Sequence, residues 1–118
     1  MSWAIQSRYY TKMAKFLAVS GICMLMSSGA FAADVKAGQA TYEKACKSCH
    51  GVDGTHNPAY AKGAKVEMRD LGAPEVQSQS DAQLAKAITA GSGKMKPVAS
   101  VTGDSVANVV AFMRTLKK

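Results

Sequence analysis

Cys46-Lys47-Ser48-Cys49-His50 is the stretch on which the reading of this chain turns. Two thiols three residues apart lie one helical turn apart, and the histidine directly after the second is carried along with them. C-x-x-C-H is the spacing by which a haem is attached: each thiol forms a thioether to one of two vinyl groups on adjacent pyrroles, and the histidine comes beneath the iron as proximal ligand. Other chemistries use the same residue types. Zinc would draw on Cys46, Cys49, His50 and His56 but lacks a second knuckle. A thioredoxin-like dithiol expects a βαβ pattern, a structural disulfide leaves His50 unexplained, and an iron-sulfur cluster needs four ligands. Haem is the first reading, and a dithiol or metal-binding module is the alternative if haem is absent.

The sequence around the motif favours a cofactor. The chain has 118 residues, a net charge of +7 and 47% hydrophobic side chains, which bounds it to one small domain. Its first 32 residues read as a separate segment. Arg8, Lys12 and Lys15 precede an apolar run over residues 16–26, and Ala30-Phe31-Ala32 offers small residues to a leader peptidase. This is the layout of a cleaved Sec-type signal peptide, with Met13 as an alternative start, and it implies export to the periplasm. Residues 16–33 form an uncharged run of 18, near the lower limit for a spanning helix, so an uncleaved anchor is the competing reading. Cys23 follows Gly21-Ile22 and lacks the small residue expected before a lipidated cysteine.

Removing residues 1–32 leaves 86 residues, with twelve basic and eight acidic side chains, a net charge of +4. Of 36 hydrophobic residues 15 are alanine, and Tyr42, Tyr60 and Phe112 are the aromatics. Domains of this size supply only about 3–5 kcal/mol from their own packing and often need a staple. A large flat apolar group inside an alanine-rich shell would fill the deficit. The modest charge and the lack of basic-aromatic interleaving argue against nucleic acid.

Residues 33–118 show no strand alternation and no repeat, so the predicted class is all-α, with three to five short helices. One helix is expected from about Val35 into the motif, with Gly38, Tyr42 and Ala45 on one face. Residues 51–64, with three glycines and a proline, read as loop with a short turn near Tyr60. A middle helix starts at Ser80, where Ser80-x-x-Gln83 is a capping box, buries Leu84, Ala87 and Ile88, and stops at Gly91. A last helix after Thr102 puts Val106, Val109, Val110 and Met113 on one stripe.

A second axial ligand would have to come from Met68, Met95, Met113 or His56. Met113 fits a core stripe, His56 is only six residues from His50, and Met68 has polar neighbours with no glycine beside it. Met95 sits in Gly91-Ser92-Gly93-Lys94-Met95-Lys96-Pro97, where glycines permit close backbone approach and proline stiffens the loop. It is the favoured candidate.

Taken together, Gly38-x-x-x-Tyr42, Cys46-Lys47-Ser48-Cys49-His50-Gly51, the 91–97 segment and Asn108-Val109-Val110-Ala111-Phe112-Met113-Arg114 resemble a small bacterial class I monohaem cytochrome c over nearly all of residues 33–118. The resemblance implies helices wrapped around one covalent haem c, with Cys46 and Cys49 as thioether sites and His50 and Met95 as axial ligands. It also implies that Gly38 and Tyr42 cross against Phe112, and that the Pro58 carbonyl receives the proximal imidazole N–H. Lys96 departs from the family, which often places proline directly after the methionine.

With both axial positions filled, the iron has no vacant site for a substrate and is left with one-electron transfer. The expected function is therefore a monomeric electron carrier between periplasmic redox partners, not an enzyme, with no small-molecule substrate. Lys47, Lys94 and Lys96 flank the haem-holding segments and would steer the protein to an acidic docking face. If Met95 is labile, a gas sensor or weak peroxidase is the alternative.

Overall fold

The computed structural model describes residues 32–118, so the expected leader lies outside the described residues apart from Ala32. The first helix, α1 (Val35–Ala45), opens at Asp34, whose carboxylate accepts from the Ala37 N–H at 3.0 Å. The remaining helices are α2 (Lys47–His50), α3 (Pro58–Ala64), α4 (Pro74–Gln77), α5 (Asp81–Ala90) and α6 (Asp104–Thr115). Apart from an isolated bridge between Ser92 and Met95, the described residues form no β-structure. Among the described residues the class is all-α, as the sequence predicts, with six helices where three to five are expected, because two are single turns of four residues. None of the described helices is long and apolar enough to cross a membrane.

Helices α1 and α6 cross at Gly38. A Cβ added there would overlap the Asn108 carbonyl, so this contact admits only glycine. One turn further along α1, Tyr42 is fully buried and meets Phe112 with ring centroids 5.1 Å apart and planes tilted by 55°. The Asn108 side chain accepts from the Asp34 N–H at 2.8 Å and fastens the start of α1 to α6. The expected crossing of Gly38 and Tyr42 against Phe112 is present.

Behind this crossing lies an aliphatic core of Val76, Leu84, Ile88, Val101, Val106, Val109, Val110 and Met113. The stripe expected on the last helix is buried throughout, and α5 carries Leu84 and Ile88 inward while Ala87 stays half-buried. Ser80 caps α5 reciprocally: its hydroxyl accepts from the Gln83 N–H at 3.2 Å and its own N–H donates to Gln83 Oε1 at 2.8 Å.

Three departures from the sequence reading have local causes. The first helix does not run through the motif, because Cys46 takes φ −120° and separates α1 from α2. Residues 51–64 hold a helix of seven residues where a single turn was expected: Asn57 accepts from the Ala59 and Tyr60 N–H groups, and Pro58 occupies the first turn, where its missing N–H costs nothing. The turn α4 also begins on a proline and is too short to leave a periodic signal.

Two side chains outside the apolar pattern tie the halves together. Arg114 donates to the carbonyls of Gln77 at 2.8 Å and Gln79 at 2.6 Å and pairs with Asp81 at 2.7 Å. Gln77 in turn donates to the carbonyls of Leu71 and Met113, at 2.7 and 3.0 Å. At the chain end Lys118 donates its N–H to the Gly72 carbonyl at 3.2 Å and its ammonium to Asp70 at 2.5 Å.

Candidate functional site

Cys46 is both the break after α1 and the cap of α2. Its N–H donates to the Tyr42 carbonyl at 2.8 Å, and its own carbonyl accepts from Cys49 at 3.2 Å and His50 at 3.0 Å. The two thiols are thereby held one turn apart with His50 on the same turn. A four-residue helix leaves its last carbonyls bare; here a returning loop satisfies them. His56 donates to the His50 carbonyl at 2.8 Å and Asn57 to that of Cys49 at 2.9 Å, while the Asn57 side chain reaches the Ser48 carbonyl at 3.0 Å. The reversal needs Gly51 at φ 77° and drives His56 to φ 95°, an unusual backbone state for a side-chain-bearing residue.

Burial sets the protonation of this turn. The His50 imidazole is held below its usual range by desolvation, which keeps it neutral with a lone pair to offer. Its Nδ1 is buried with no hydrogen-bond partner. A buried polar atom left unpaired calls for a partner that the described residues do not supply. The Cys46 thiol is pushed up by burial and by the neighbouring Cys49, and both thiols are free.

The bond expected between the Pro58 carbonyl and His50 is not made. Pro58 stands at the first position of α3, where a carbonyl points along the helix axis toward the next turn. The hydroxyl of Tyr60 on α3 is held above its usual range, chiefly by the nearby Cys49 thiol. Sequence reading missed Tyr60, although its place one turn into a proline-started helix was the available signal.

Met95 is half-buried at the end of a two-residue hairpin. Ser92 and Met95 exchange both backbone bonds, at 2.9 and 3.0 Å, with Gly93 at φ 56° in the turn. Gly91, at φ 83°, leaves room for the Met95 carbonyl and the Pro97 ring, both of which a Cβ would strike. Pro97 thus closes the loop in spite of the intervening Lys96. Lys94 reaches from the same hairpin to the Lys65 carbonyl beyond α3, at 3.4 Å. Of the other candidates, Met113 is spent in the core, Met68 is half-buried, and His56 is used by the loop that closes α2. Among the described residues no three His, Cys, Asp or Glu side chains are gathered as a metal cage.

Paired thiols, a neutral, half-buried imidazole and a preformed methionine loop fit a covalently held haem. Comparison with known proteins agrees. The family model described as "Cytochrome C oxidase, cbb3-type, subunit III" matches residues 33–113. The chain belongs to this family of c-type cytochromes. Cytochrome c-555 of Chlorobaculum tepidum is 32% identical over 102 residues, covering 81% of this chain and 89% of its own length. The solved structure of the KustC0563 c-type cytochrome is 30% identical with a TM-score of 0.58, and the match covers 69% of this chain and 98% of that one. The protein is a small class I monohaem cytochrome c, its cofactor is a covalent c-type haem, and it is an electron carrier.

Proposed function

We propose that this cytochrome carries single electrons between protein partners outside the cytoplasm, with Cys46 and Cys49 bearing the thioethers, His50 as proximal ligand and Met95 as distal ligand. The observation that carries the assignment is the turn at Cys46–His50, which holds two free thiols and a half-buried, neutral histidine together. The haem supplies reversible one-electron chemistry. Everything else falls to the chain. The α2 turn fixes the two sulfurs, and the loop through His56 and Asn57 keeps the His50 backbone from shifting. The Ser92–Met95 hairpin presents its thioether from a frame already closed before any ligand bond forms. Pre-organisation of this kind keeps the two oxidation states close in structure, which suits fast transfer over substrate turnover.

Lys47, Lys94 and Lys96 are exposed on the segments that bear the thiols and Met95. Such a cationic rim speeds encounter with an acidic face. Residues 1–32 serve as the export signal in this reading, and the working protein is a periplasmic monomer.

Two spectra test the assignment. The alkaline pyridine spectrum of the purified protein should be that of a haem with both vinyl groups saturated. In the ferric protein the weak far-red band of methionine-to-iron bonding should vanish in Met95→Ala and persist in Met68→Ala. Loss of the band in Met68→Ala alone would move the distal ligand to Met68.

A further inference from the structure

The packing of α1 against α6 does not use all of Tyr42. Its ring is spent on Phe112, but its hydroxyl leaves that contact and donates to the Gly51 carbonyl at 2.8 Å. Gly51 is the residue directly after His50, and its φ of 77° turns the chain away from α2. The Gly51 N–H is already engaged by the Lys47 carbonyl at 2.9 Å, so the hydroxyl is what fixes the other end of this residue. A phenylalanine would fill the same volume and stack on the same ring. The hydroxyl is therefore surplus to packing.

We propose that Tyr42 is a positioning residue for the proximal ligand: its hydroxyl pins the Gly51 carbonyl, holds the His50 backbone in register and offsets a negative dipole beside the ligand residue, thereby setting the redox balance. The inference rests on His50 being the proximal ligand. Tyr42 is fully buried, and burial raises its hydroxyl well above its ordinary range. It remains a donor at every pH the protein meets. In a low-dielectric interior the partial negative charge of an unpaired carbonyl is poorly screened. Removing the donor should favour the oxidation state of higher positive charge.

The test compares Tyr42→Phe with Phe112→Leu in the haem-loaded protein. Tyr42→Phe should raise the ferric-to-ferrous ratio at fixed applied potential about threefold, equivalent to a downward shift of roughly 28 mV at 59 mV per tenfold for one electron. Phe112→Leu keeps the hydroxyl and loosens the same crossing. It should lower the melting temperature while leaving the ratio unchanged. An unchanged ratio in Tyr42→Phe overturns the proposal, as does an equal shift in both variants. Should Tyr42→Phe not assemble, NMR of the ferrous wild type decides: the Tyr42 hydroxyl proton should exchange slowly and couple through the hydrogen bond to the Gly51 carbonyl carbon, and absence of that coupling overturns the proposal. A wild type without haem in its pyridine spectrum overturns the proposed function as well, whereas a loaded wild type with an unmoved ratio overturns only the role of Tyr42.

Discussion

At Gly38 a single missing methyl decides whether α1 can touch α6. The atom that an added Cβ would strike is the backbone carbonyl of Asn108, which cannot swing aside as a side chain would. Gly38→Ala should therefore cost more than about 2 kcal/mol, toward the upper end for overpacking, read as a fall in denaturation midpoint. Gly91 is a second such position, because a Cβ there would meet the Met95 carbonyl and its φ is 83°. Gly91→Ala should weaken the far-red methionine band while leaving the pyridine spectrum intact, since it disturbs the hairpin and not the thiols. At this scale the sequence marks candidates wherever chemistry requires a residue type. Two thiols, a histidine and a methionine in a glycine loop stand out by identity and spacing. The bond from Tyr42 to Gly51 was not legible, because a tyrosine hydroxyl finds its partner through tertiary geometry. The Pro58 contact failed for a related reason: an Asn-Pro pair that starts a helix directs its carbonyl along that helix.

Elements followed their caps more faithfully than their apolar periodicity. The α5 boundaries were readable from Ser80, Gln83 and Gly91, and the reciprocal capping bonds are present. Ser80→Ala should lower stability by about 1 kcal/mol, the usual worth of a cap, with little change in the redox spectrum. The helix α3 escaped because its residues 58–64, Pro-Ala-Tyr-Ala-Lys-Gly-Ala, bury no strong stripe; only Asn57 and Pro58 announced it. Nothing periodic marks α4, and what organises its neighbourhood is a fork of hydrogen bonds from Arg114. Lysine is a point charge and cannot reproduce that fork. Arg114→Lys should speed amide exchange across residues 77–81 and cost about 1–3 kcal/mol, the scale of a charged hydrogen bond lost.

Across the whole molecule, charge is divided between fastening and display. Lys118 is paired with Asp70 and Arg114 with Asp81, whereas Lys47, Lys94 and Lys96 stand exposed on the segments that carry the site. Reaction with an acidic partner should slow as ionic strength rises, and Lys94→Glu should slow it further at low salt. The fastening charges give a pH dependence. The Asp70 carboxyl is held below its usual range by its hydrogen bond to Lys118 and then by the Gly72 N–H. A carboxylate whose folded pKa is depressed adds stability above its unfolded value, near about 3.9, and that contribution fades as pH falls through the lower folded value. The melting-temperature gap between wild type and Asp70→Asn should thus be full at neutral pH and close in acid. The thin, alanine-rich composition announced at this scale that a cofactor completes the core. It did not announce how the chain end is stitched to Gly72 and Asp70, since those bonds join residues far apart in sequence.

The bond from Asp34 to Asn108 spans 74 residues, and it has a temporal meaning. On the proposed export route the chain passes N-terminus first, so the two thiols emerge before α6 arrives to cover Tyr42. During that interval the Cys46–His50 turn is open to whatever machinery installs the haem, and arrival of Phe112 shuts it behind the cofactor.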